Sequence, residues 1–267
     1  GNMAYLSLKV LDKKGNTICV SSGEDFTDLV CTRAYEEGDR IVLETSEKNI
    51  HINLQVDDAM GPAFVYITDN VSYEIPFGEK RISYSPKVFT GNRHYLYAET
   101  ADREEIVRYR NLALNPADQH CDVPCYPHAT ANVETRGESV FAAKNAIDGV
   151  RANLSHGEWP YQSWGINRRE DAAMKVDFGR RIRTGKVVLY TRADFPHDSW
   201  WEQVTLRFSD GSSRDFSLIR TNRAQILTFP EKEISWIELG DLKKAGDPSP
   251  FPALTQIEVY GTVIYKE

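Results

Sequence analysis

Cysteine is scarce in this chain, long apolar runs are missing, and so are clusters of lysine and arginine. Four cysteines, Cys19, Cys31, Cys121 and Cys125, occur in 267 residues. A chain of this length can build ordinary cores without staples, so free thiols are the reading, and spacing alone cannot choose among the three pairings four cysteines allow. Cys121 and Cys125 lie between His120 and His128. Zinc sites draw their second ligand pair from a distance, so this crowded segment is not expected to hold a metal. No stretch approaches the ~18 apolar residues of a membrane helix. The net charge is −7 with no basic block, which argues against a nucleic-acid partner. Missing too are the G-x-S-x-G, H-E-x-x-H and phosphate-loop patterns, and any long 3.6-period stripe that would suggest a doubly wound nucleotide-binding fold.

What is present is strand and turn. Ile50, Ile52, Leu54 and Val56 alternate with His51, Asn53 and Gln55, the period-two signature of a half-buried strand. Leu6–Val10, Arg40–Glu44, Ala63–Ile67 and His94–Ala98 repeat the rhythm, punctuated by Lys14-Gly15-Asn16, Glu37-Gly38-Asp39 and Met60-Gly61-Pro62. Residues 101–114 have room for only a brief helix. The segment from Asn115 to Pro127 carries three prolines and two cysteines without periodicity and reads as a linker. Beyond it strands resume, with all five tryptophans and a hairpin turn at Ser209-Asp210-Gly211-Ser212. The expected fold is all-β, with two β-sandwich (jelly-roll) domains: residues 1–115, a linker at 116–127, and a second sandwich at 128–267. Gly1-Asn2 reads as an expression remnant before a natural Met3. On that reading no export signal precedes the first strand and the expectation is cytoplasmic; a trimmed leader would make it extracellular.

Three stretches carry a family resemblance. They are Lys144-Asn145-Ala146-Ile147-Asp148-Gly149, then Met174-Lys175-Val176-Asp177-Phe178-Gly179, and finally Leu254 to Gly261 with its Ile257-Glu258-Val259-Tyr260-Gly261 ending. In this order they resemble the discoidin-like, or coagulation factor type C, domain, and cover only the C-terminal half. In bacteria the family, as in family 32 carbohydrate-binding modules, implies sugar binding; in animal proteins it can imply lipid or protein binding. The resemblance also implies a structural Ca²⁺ site: Asp148 as side-chain ligand, Asn145 and Val150 through carbonyls, Asn153 at a threonine position, and Gln256 where the family has glutamate. The loss of that carboxylate weakens the expected site, because ligand charge is a lever on calcium affinity.

Sugars offer apolar C–H faces and hydroxyls, so their sites combine aromatic rings with charged hydrogen-bonding groups. Two loops hold both. One supplies His156, Glu158, Trp159 and Tyr161; the other supplies Arg192, Asp194, His197 and Trp200. Glu134 and Arg136 lead into the sandwich and are expected beside this rim. Trp164 is expected in the core, and if Trp200 and Trp201 both sit on a strand one of them must face inward, because neighbours on a strand alternate. The expectation is a non-catalytic carbohydrate-binding protein. An enzyme of sugar metabolism using the same His, Asp and Glu groups, and a structural or protein-interaction module, are the alternatives.

Overall fold

The computed structural model describes residues 3–192 and 197–266. Among them the chain is all-β and antiparallel. Eight strands make the N-terminal part: β1 (Tyr5–Leu11), β2 (Thr17–Glu24), β3 (Phe26–Cys31), β4 (Arg40–Thr45), β5 (Ile50–Gln55), β6 (Ala63–Ile67), β7 (Val71–Glu74) and β8 (His94–Thr100). The C-terminal part has β9 (Arg110–Asn111), β10 (Cys125–Tyr126), β11 (His128–Ala131), β12 (Trp164–Gly165), β13 (Met174–Thr191), β14 (Trp201–Phe208), β15 (Ser213–Ser217), β16 (Gln225–Lys244) and β17 (Ala253–Val263). Among the described residues there is one short α-helix, α1 (Arg103–Ile106), which begins with a capping box between Asp102 and Glu105, besides four brief 3₁₀ turns.

Two sheets, ordered β2-β1-β4-β7 and β10-β6-β5-β8-β3, face each other over the first core. In β1 the alternation is literal: Leu6, Leu8 and Val10 are fully buried while Ser7 and Lys9 are not. Each such side chain contributes roughly 1.5–3 kcal/mol by leaving water. The second core lies within one large sheet, β12-β17-β13-β16-β14-β15, with β11 added to β13 and β9 to β17. β13 and β16 span 18 and 20 residues, far longer than a usual strand. Their pairing breaks register between Asp177 and Ile182 and again between Thr184 and Lys186. Such bulges bend strands, and here they let one sheet wrap both sides of its core. Trp164 and Trp201 sit fully buried in it, and Trp200, which precedes β14, is only half-buried.

The junction differs from a free linker. β9 pairs with β17 in the second sheet, and Leu112 and Ala113 join the second core. The chain then returns: Gln119 bonds Ser72 O and Glu74 N, Thr68 N donates to Pro124 O, and β10 pairs with β6. Residues 116–127 are thus held against the first sandwich after the chain has already contributed a strand to the second.

The polar face expected of β5 is covered as well. His51 and Gln55 are buried. Asn53 donates to Glu105, and His51 lies against Arg180 from β13. Arg180 of the second half covers His51, whereas Gln55 donates to Tyr95 O of β8 in its own sheet and Asn53 stays half-buried.

Candidate functional site

The two loops singled out from the sequence meet in a cleft of about 600 Å³ at one end of the second sandwich. Its floor is Arg192, at the end of β13. Only 3% of this residue is exposed, which fixes its guanidinium in place. Arg192 Nη1 donates to Tyr161 O at 3.0 Å, Nη2 contacts His156 Nδ1, and Nε lies 3.4 Å from Asp198 Oδ2. The His156 and His197 rings are 4.0 Å apart, and His197 stacks on Phe251 at 5.4 Å and 18°. His197 Nδ1 is 3.2 Å from Asp198 Oδ1. Arg168 covers the Phe251 ring at 4.8 Å. Burial raises the Tyr161 hydroxyl above its ordinary value.

Local chemistry explains the placement. Ser199 N donates to Phe251 O, Arg192 N to Ala253 O, and Ser249 Oγ to His197 O. The 249–253 segment therefore clamps the end of the second loop. Phe251 stands between Pro250 and Pro252, and prolines keep this stretch extended. The Pro-Phe-Pro triplet is the one signal in the sequence for this ring. Arg168, Glu138 and Asn167 also line the cleft and lacked any signal beyond a polar turn.

Of the residues expected at the rim, His156, Tyr161, Arg192, His197 and Arg136 line this cleft. Arg136 is paired with Glu138 at 2.6 Å. Glu158 and Trp159 do not line it; Glu158 is exposed and Trp159 half-buried. Trp200 sits outside it too, its backbone carbonyl bonding Ala245 N. Glu134 turns away to bond His120 and the amide of Ala143. Asp194 lies outside the described residues. Trp159 and Trp200 were placed by residue type, and loop direction is what type cannot give.

A ligating atom from each of His156, His197 and Asp198 lies within 4.8 Å of the others, close enough for one metal ion. The Arg192 guanidinium occupies the same space. Like unit charges 4 Å apart repel by about 4 kcal/mol at an effective dielectric near 20, and a dication doubles this. The arrangement disfavours a cation at this spot. Elsewhere, His128 bonds Asp118 at 2.7 Å and His120 bonds Glu134, so these histidines turn to carboxylates and not to Cys121 and Cys125. All four cysteines are free.

The residues implied as a calcium shell are drawn together, but by protein groups. Gln256 Nε2 donates to Asn145 O and to Asp148 Oδ1, both at 2.7 Å, and its Oε1 accepts from Gly149 N at 2.9 Å. Val150 N donates to Asp148 Oδ1, and Gln162 Nε2 to Asp148 Oδ2, each at 2.9 Å. Asn153 Oδ1 accepts from Thr255 Oγ1. Burial lifts the Asp148 carboxyl to about 6 against these hydrogen bonds. Calcium wants six to eight oxygens with carboxylate charge among them. Here one carboxylate is already saturated by amides, and the residues present do not fit the ion.

Among solved structures the chain is similar to discoidin-like carbohydrate-binding modules and lectin domains. One is the lectin domain of lectinolysin complexed with Lewis B antigen, 20% identical over 57% of this chain and 97% of that one, with a TM-score of 0.42. Another is a fucose-binding module of Streptococcus pneumoniae, 14% identical over 58% and 98%, with a TM-score of 0.41. A third is a family 32 module from Clostridium perfringens in complex with galactose, 17% identical over 49% and 91%, with a TM-score of 0.37. At these identities the likeness concerns the fold alone. No family model matches the sequence, and no curated protein matches it.

Proposed function

We propose that this chain is a carbohydrate-binding protein that holds a glycan in the His156–Arg192–His197 cleft without transforming it. The observation that carries the reading is the meeting of a buried, immobilised guanidinium with two imidazoles and the Phe251 ring in one open cavity. The buried guanidinium holds His156 and Tyr161 in place, imidazole accepts from or donates to hydroxyls, and an aromatic ring packs against C–H faces. Such a site is largely preformed, so little ordering entropy is lost on binding. A neighbouring depression of about 770 Å³ shares Ile166, Arg168, Pro250 and Pro252 with the cleft. It leaves room for a second sugar, so an oligosaccharide is the preferred ligand.

The test is a printed oligosaccharide array, followed by calorimetric titration of the strongest hit. Saturable binding that is weakened at least tenfold in His197→Ala, with an unchanged melting temperature, supports the reading. No binding to any printed glycan sinks it. Hydrolysis of the bound sugar by the wild-type chain, lost in His156→Ala, would make the protein an enzyme instead.

A further inference from the structure

We propose that the side-chain amide of Gln256 stands in for a cation, so that the Asp148 loop of the second sandwich is closed without calcium. Three oxygens converge on Gln256 Nε2: Asn145 O, Asp148 Oδ1 and the residue's neighbour Thr255 O, at 2.7, 2.7 and 2.6 Å. Two carbonyls and a carboxylate pointing at one spot is an arrangement that asks for positive charge there. The amide N–H₂ provides it in partial form, with two hydrogens shared among three acceptors.

The orientation of the amide is dictated by its partners. Turned over, Gln256 Oε1 would face those three oxygens and its N–H₂ would face the N–H of Gly149. Both ends would then repel, so only the observed orientation satisfies the site. Gln162 adds a second neutral donor at Asp148 Oδ2. The single buried negative charge is therefore met by two amides and a backbone N–H. Unmet, a buried carboxylate would cost several kcal/mol.

Exchanging one nitrogen for oxygen reverses the situation. With Gln256→Glu, a second carboxylate faces Asn145 O, Thr255 O and Asp148 Oδ1, and the donor those three oxygens shared is gone. Such a cluster needs a cation, and its two carboxylates and two carbonyls are calcium-type ligands.

The experiment is a set of thermal melts of the full chain in excess EGTA and in millimolar CaCl₂. The wild type is expected to melt at the same temperature in both. Gln256→Glu is expected to melt lower than wild type in EGTA and to regain at least about 4 °C on adding CaCl₂. Gln256→Met keeps the length, lacks both amide and carboxylate, and is expected to melt lower in both buffers with no calcium response. A calcium-raised melting temperature in the wild type overturns the proposal. So does a Gln256→Glu protein that folds and ignores calcium, or a Gln256→Met protein that calcium restores. Should Gln256→Glu fail to fold in either buffer, the wild-type and Gln256→Met pairs still decide.

Discussion

His51 Nε2 accepts a hydrogen bond from Arg180 Nε at 3.2 Å across the seam between the two cores. His51 comes from β5 of the first sandwich and Arg180 from β13 of the second, and both are largely buried. Burial, together with the charges of Arg180 and Arg110, pushes the imidazole down to about 3. An unfolded histidine takes its proton near 6.5. Below that pH the unfolded chain binds a proton that the folded chain refuses, so stability falls as pH drops from 6.5 towards 3. The slope approaches ~1.4 kcal/mol per pH unit for this one group. His51→Gln keeps an acceptor for Arg180 without titrating. Urea melts at pH 7 and pH 4 should show a smaller acid loss in the variant than in the wild type.

Gly261 lies where β17 passes β13 at close range. A Cβ there would sit 1.9 Å from Arg183 O, a backbone atom that cannot swing aside. Gly261→Ala should lower stability by about 1–3 kcal/mol, the cost of overpacking, measured by chemical denaturation. Gly246 is a control: a Cβ there meets nothing within 4 Å.

Phe251 and Trp159 make opposite predictions for the cleft. Phe251 lines it and stacks on His197, while Trp159 does not line it. Phe251→Ala should weaken binding of the array-selected oligosaccharide by ~1 kcal/mol or more, the worth of an aromatic contact. Trp159→Ala should leave the affinity unchanged within twofold. The reverse ranking would move the site to the Glu158–Trp159 tip.

The thiols should separate by reactivity. Cys121 is exposed, whereas Cys125 is buried in the first core, where burial pushes its thiol up to about 12. Iodoacetamide at neutral pH should label Cys121 in the native protein and reach Cys125 only after denaturation, as read by mass spectrometry of the peptides.

The strand rhythm was legible wherever one face stays wet, as in β1. It misled at β5, because Arg180 of the second half covers His51 and the neighbouring β8 takes up Gln55 through Tyr95 O. The motif around Asp148 pointed to a real loop, and Gln256 was visibly anomalous within it. What the anomaly does was not legible, since three oxygens converge on that amide only once β17 lies beside the loop. In the cleft, His156, Arg192 and His197 were found because aromatic and charged residues cluster in their two loops. Phe251 was missed because it arrives some fifty residues later in the chain, brought in by the 249–253 clamp.

The exchange of short strands at the junction bears on how this protein can be cut. β9 precedes residues 116–127 yet completes the second sheet, and β10 follows most of them yet completes the first. A protease nick or a gene break at residue 120 would leave each fragment carrying the other's edge strand and missing its own. The halves are laced together like crossed fingers. A clean excision of the second sandwich must keep the chain from Arg110 onward and give the first sandwich a duplicate of Cys125–Tyr126.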